Sequence, residues 1–105
     1  LSVFFDTLDE TVERIEAWCE KNSLDNPDGH MLKLTEEFGE VAECLNKNKL
    51  GDIGQEIADV FVLTVALAWS LKINLAKVAA DKFAIVEARP GKRNFRGQFV
   101  KESDM

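Results

Sequence analysis

A chain of 105 residues that is 46% hydrophobic and 30% charged has room for one modest core, and it lacks the proline and glycine content of a disordered segment. Its net charge of −6 argues against a general affinity for nucleic acid or an anionic membrane, so a polyanionic ligand needs a cation between itself and the protein. Cys19 and Cys44 fall at no zinc-knuckle or redox spacing. From that spacing, reduced, buried thiols in a cytoplasmic protein are the expectation.

Strand signals are almost absent and apolar residues recur three and four apart, so the chain reads as all-α. Thr7-Leu-Asp-Glu10 has the form of a capping box, starting a first helix that runs to about Asn22 with Leu8, Val12, Ile15 and Cys19 as its inner stripe. The stretch NSLDNPDG, residues 22–29, is turn chemistry. A second helix follows from about His30 to Asn46 on a stripe of Met31, Leu34, Phe38, Val41 and Leu45. NKNKLGD closes it, and Asp52 is the expected N-cap of a third helix from about Ile53 to Lys72. The apolar run 57–71 is interrupted by Asp59, Thr64 and Ser70 and is shorter than the roughly 20 residues of a membrane span, so it reads as a core helix. Apolar on nearly every side between Val60 and Trp69, this helix needs more neighbours than one small chain supplies, which predicts a homo-oligomer. Asn74 is expected to cap a fourth helix, Leu75 to Ala88, that Arg89-Pro90-Gly91 ends. The tail from about residue 90 is expected to be partly ordered through Phe95 and Phe99. The whole is then one domain, 1–105, an antiparallel bundle of about four helices.

The acidic residues decide the function. With the stripe of helix two set at zero on a helical wheel, Glu36 and Glu43 fall nearly opposite and are solvated, whereas Glu37 lies roughly 60° and Glu40 roughly 120° away on one side. Their side chains meet one turn apart at the edge of the buried surface and repel each other. On helix three, Glu56 and Asp59 are again three apart and continue a line through Val60, Leu63 and Leu67, with Asp59 the deeper. Burying unpaired charge is costly, so something positive must meet these side chains. Packed antiparallel across NKNKLGD, the two helices bring four carboxylates around one point, which suits a hard divalent cation such as Mg²⁺. Zinc is disfavoured because His30 is the sole histidine, expected at a helix start as a capping or surface residue.

Glu36-Glu37-Phe-Gly-Glu40, then Glu56-Ile-Ala-Asp59 after 15 intervening residues, resembles the EExxE and ExxD signature of the MazG-like nucleotide pyrophosphohydrolases of the all-α NTP pyrophosphatase superfamily. KINLAKVAADKF, residues 72–83, is similar to the family's helix break and lysine-bearing helix, and Arg89 resembles the basic residue after it. The resemblance covers about residues 30–92. It implies hydrolysis of (d)NTP to (d)NMP and pyrophosphate by activated water at the α-phosphorus, with Mg²⁺ or alternatively Mn²⁺, in a dimer or tetramer. Position by position, Glu37, Glu40, Glu56 and Asp59 match the metal ligands. Lys82 and Arg89 match residues that hold phosphate oxygens, with Lys47, Lys49, Lys92, Arg93 and Arg96 as further phosphate candidates. Glu40 or Glu36 would orient the water, and Phe38, Trp18 and Trp69 could line a base pocket. Two rivals stay open: the related phosphoribosyl-ATP pyrophosphohydrolase, and a non-catalytic helical module with a structural cation.

Overall fold

The computed structural model describes residues 6–105, which form four helices and a small hairpin: α1 Leu8–Lys21, α2 Pro27–Asn46, α3 Leu50–Ser70, α4 Leu75–Ala88, β1 Gly91–Arg93, β2 Phe99–Lys101, and a 3₁₀ turn Glu102–Asp104. The contacts divide the chain into two compact units, residues up to Leu75 and residues 76–105.

In the first unit, α1 starts on the capping box that the sequence announces. Thr7 accepts from the Glu10 backbone N–H at 3.1 Å, and the Glu10 carboxylate accepts from the Thr7 N–H at 3.0 Å, satisfying two donors that the first turn leaves without helical partners. The helix buries Ile15 and Cys19 but leaves Leu8 exposed. α2 starts three residues earlier than the periodicity suggests, because Asn26 caps it through Asp28 N–H and Pro27 takes the first helical position, where its missing N–H costs nothing. α3 likewise begins at Leu50, before the expected cap: Asp52 lies inside the first turn, and Lys49 at the N-cap makes no side-chain cap bond. At 21 residues and a mean hydropathy of 1.3, α3 is long and apolar enough to cross a bilayer, contrary to the shorter apolar run read from the sequence. Here it packs against both α1 and α2. Ile15 and Cys19 of α1 meet Val65 and Ala66 of α3 to form the core, flanked by Val12, Phe61, Val62 and Trp69.

α1, α2 and α3 all end in the same way. Ser23, Asn48 and Lys72 take left-handed φ values of 54°, 56° and 58°. The next residue then donates its N–H back into the helix, Leu24 to Cys19 O, Lys49 to Cys44 O and Ile73 to Ala68 O, at 2.8–2.9 Å. This closure lets α2 and α3 reverse direction through a connection of three residues.

The second unit holds α4 and the antiparallel hairpin, with Gly91 opposite Lys101, Lys92 opposite Val100 and Arg93 opposite Phe99. The hairpin corrects the reading of an all-helical chain. Strands of three residues show no alternation worth detecting, but Asn94 organises the turn by accepting from the N–H groups of Arg96 and Gln98, and Gly97 supplies a φ of 77°. Gly91 lies so close to the Val100 carbonyl and the Phe99 ring that no side chain would fit.

Candidate active site

The inward face of α2 passes through His30, Leu34, Glu37, Val41 and Cys44. This is rotated by roughly 50° from the apolar stripe of the sequence, toward Glu37. Phe38 and Leu45 are more than half exposed, so neither belongs to the core of this unit. The rotation has a direct consequence: Glu37 sits among buried side chains rather than beside them.

From α3, Glu56 and Asp59 meet Glu37. One carboxylate oxygen from each of the three lies within 4.8 Å of the others. Antiparallel packing sets the register, with Glu37 beside Asp59, Glu40 beside Glu56, and Cys44 near Asp52 and Glu56. Glu40, the fourth carboxylate, is in hydrogen-bonding reach of both Glu37 and Glu56 and so joins the two pairs. Asp59 is the exposed member, and Glu56 the more buried, reversing the depth order expected from the wheel. Asp59 precedes the stretch of α3, Phe61 to Trp69, that packs with Ile15 and Cys19 of α1.

The electrostatics of the cluster are those of carboxylates without a counter-charge. Glu56 has its pKa pushed up to about 7, first by the hydrogen-bonded Glu40 carboxylate, then by burial and by the charges of Glu37 and Asp59. Glu37 is also pushed up, first by burial, then by Glu40 and Asp59, with Lys33 pulling in the opposite direction. Oε2 of Glu37 and Oε2 of Glu56 are buried without a hydrogen-bond partner. Two buried, unpartnered oxygens in an all-oxygen donor set on facing helices fit a hard divalent cation, and the set lacks the imidazole and thiolate ligands that zinc sites favour.

The other sequence-predicted residues take distinct places. Glu36 stands apart from the cluster, 55% exposed and 3.5 Å from the Lys33 ammonium, and Glu43 pairs with Lys47 at 2.6 Å in solvent. Lys49 borders a polar pocket shared with Glu40, Asp52 and Glu56. Lys82, on α4, and Arg89, just beyond it, belong to the second unit, as do Lys92, Arg93 and Arg96. Trp69 packs on the core, and Trp18 is half exposed at the rim of a cleft. His30 departs from expectation: it is buried, and its Nε2 lies 2.6 Å from the Leu24 carbonyl, tying the 22–26 turn to α2. Both thiols are free and buried, as expected.

The sequence profile of the MazG nucleotide pyrophosphohydrolase domain matches residues 25–89, which contain all four carboxylates. The chain belongs to the MazG nucleotide pyrophosphohydrolase family. Membership assigns it to the hydrolases. A solved MazG-like pyrophosphohydrolase from cyanophage S-2L, bound to dGDP and three catalytic Mn²⁺ ions per active site, superposes with a TM-score of 0.67 at 31% identity, covering 92% of this chain and 98% of that one. An 18.2 kDa protein from the rep-hol intergenic region of Haemophilus phage HP1 is 39% identical over 64 residues, 58% of this chain. The matched part spans 39% of that phage protein's length.

Lys33 also acts on the cluster, its charge pulling the Glu37 carboxyl down. It lies four residues before Glu37 and therefore on the same helical row, a spacing visible in the sequence. The acidic pattern alone does not single it out.

Proposed function

We propose that this MazG-family chain hydrolyses nucleoside triphosphates to the monophosphate and pyrophosphate, with Mg²⁺ or Mn²⁺, as a homodimer or homotetramer. The observation that carries the reading is the convergence of Glu37, Glu56 and Asp59 with two buried oxygens that no protein donor satisfies. Glu37, Glu56 and Asp59 would hold the ion, and Glu40 shares its charge with both helices. A divalent cation bound there supplies positive charge against the phosphate oxygens and acidifies water.

The side chains do the rest by charge and position. Without a cation the cluster repels a triphosphate, so recognition is reserved for phosphates that arrive with metal. Glu40, exposed and beside the cluster, would accept the proton of the attacking water; Glu36, paired with Lys33, is the weaker candidate. Attack at the α-phosphorus transfers charge to the departing pyrophosphate; the family resemblance alone names Lys82 and Arg89 as the residues for those phosphate oxygens. The S-2L relative's dGDP and Mn²⁺ ions support a nucleotide substrate and divalent metal.

Incubation with each (d)NTP and Mg²⁺, with pyrophosphate and orthophosphate measured separately, tests the proposal. Pyrophosphate in step with monophosphate is expected. Orthophosphate alone would contradict α-phosphorus attack, and no turnover of any nucleotide would leave a cation-binding module.

A further inference from the structure

The net charge of −6 is unevenly spread along the chain. Residues 89–101, just beyond α4 and through the hairpin, hold five basic side chains and no acidic one. Lys101 pairs with Asp104 at 3.7 Å, whereas Arg89, Lys92, Arg93 and Arg96 pair with no carboxylate among the described residues. Unpaired cations concentrated on one hairpin attract a polyanion even in an acidic chain, because a charge more than about 10 Å away is largely screened at 0.1 M salt.

Aromatic rings lie among these cations. Phe95, at the tip of the turn, is 91% exposed, the highest value among the large apolar residues described, and the Arg96 guanidinium rests 5.4 Å from its ring centre. Phe99 is opposite Arg93 in the ladder, so the two side chains share one face of the hairpin, and Lys101 follows on that face two residues on. Gly91, opposite Lys101, makes room for the Phe99 ring, which lies against the glycine backbone with more than half of the residue in solvent.

The turn that carries them is fixed by its own hydrogen bonds. The Asn94 side-chain oxygen accepts from the N–H groups of Arg96 and Gln98 at 2.9 Å, and the Asn94 N–H donates to the Gln98 carbonyl at 2.8 Å. At the open end, the Glu102 N–H donates to the Pro90 carbonyl at 2.7 Å, beside a cleft of about 500 Å³ with Arg89 and Lys101 in its walls. Side chains on a preformed turn lose less freedom when a ligand seats on them.

We propose that this hairpin binds single-stranded nucleic acid, with Phe95 and Phe99 stacking on bases and Arg93, Arg96 and Lys101 meeting the phosphates between them. Interleaved rings and cations suit a chain that alternates π faces with negative charge, and they read no particular base sequence. A duplex hides its base faces and would engage the cations alone. An acidic peptide would likewise leave both rings unused, and entry into a bilayer would carry the Arg96 guanidinium stacked on Phe95 toward hydrocarbon at a cost. Binding at the hairpin needs neither the carboxylate cluster nor turnover.

Fluorescence anisotropy of a labelled oligothymidylate of about 12 nucleotides tests it, with the full chain in EDTA so that the carboxylates hold no cation. Saturable binding with a Kd of about 10–100 μM in 0.1 M salt is expected, and log affinity should fall against log salt with a slope of about −2 for three phosphate contacts. Phe95→Ala weakens binding about tenfold, Phe95→Trp matches or exceeds wild type, and Arg96→Ala makes the slope shallower by about 0.7. A phosphodiester chain of the same length without bases binds wild type and Phe95→Ala alike. No saturable binding overturns the proposal, and so does a duplex of the same length bound as tightly as the single strand. Binding confined to phosphatidylserine vesicles overturns it in favour of a membrane contact. A Phe95→Ala protein that binds the oligomer as wild type does but changes its sedimentation overturns it in favour of a contact between copies.

Discussion

Glu56 carries the strongest electrostatic consequence in the molecule. Its carboxyl titrates near 7 in the folded chain against about 4.5 when unfolded, and Glu37 is raised in the same direction. Between those values the folded state binds more protons than the unfolded one, so stability falls as pH rises. The metal-free protein is therefore expected to lose thermal stability from pH 4.5 to about 7. Melting in EDTA across that range checks it, and a rise over the window would show that the cluster is neutralised by the protein itself. Glu56→Gln removes the repulsion, so the metal-free Tm is expected to rise by a few degrees while hydrolysis falls by about 100-fold or more, beyond what losing an outer partner of a metal site costs. Should the variant melt lower, Glu56 is structural. Glu43→Gln, at a solvated pair with Lys47, should leave activity within about twofold. The convergence of the acidic residues was legible because two charges three apart on each of two helices are odd wherever they fall on a wheel. The burial of His30 was not, since its partner is the backbone carbonyl of Leu24, which no residue type reveals.

At the scale of elements, the helices were legible where side chains define them and blurred where the backbone does. Thr7 and Glu10 place the start of α1 because both ends of the capping box are side chains. The start of α3 was misplaced because Lys49 makes no side-chain cap and Asp52, the better capping residue, lies inside the helix. The buried face of α2 lies roughly 50° from its apolar stripe, since Phe38 and Leu45 suggest a core stripe that this unit does not bury. The three left-handed helix ends carry no sequence signal, because Ser23, Asn48 and Lys72 stand where glycine is the usual marker. That choice leaves strain that a substitution can relieve. A side chain in the left-handed region costs roughly 1–2 kcal/mol, and glycine returns part of that as extra freedom in the unfolded chain. Lys72→Gly is therefore expected to stabilise by about 1 kcal/mol, read as a higher urea midpoint at unchanged slope. An unchanged or lower midpoint would mean that the Lys72 side chain contributes more than its backbone costs.

The whole molecule exposes more apolar surface than a free monomer of this size has reason to. Phe38, Leu45, Leu50 and Ile57 are each more than half exposed on the same two helices that carry the carboxylates, and α4 buries no residue while leaving Phe83 and Ile85 open. Large exposed apolar patches mark surfaces that meet another protein or a membrane, and α3 shows why the sequence already pointed to copies of the chain: it is apolar on faces that α1 and α2 leave uncovered. Charge is divided as well. Residues up to Leu75 carry fifteen acidic against six basic side chains, and residues 76–105 carry four against seven. Both features favour self-association, but they respond oppositely to salt. Attraction between the oppositely charged units is screened within about 3 Å at 1 M, whereas apolar burial is not weakened by added salt. If the exposed phenylalanines and leucines drive assembly, sedimentation will give a mass two or four times 11.8 kDa at low salt and the same mass in 1 M NaCl. Dissociation in salt would assign assembly to the charged units, and a monomer at both concentrations would remove the oligomer from the proposed function altogether. A Phe38→Glu substitution distinguishes the patch near the site: it should break the assembly if that face is the interface, and leave the mass unchanged if α4 carries it.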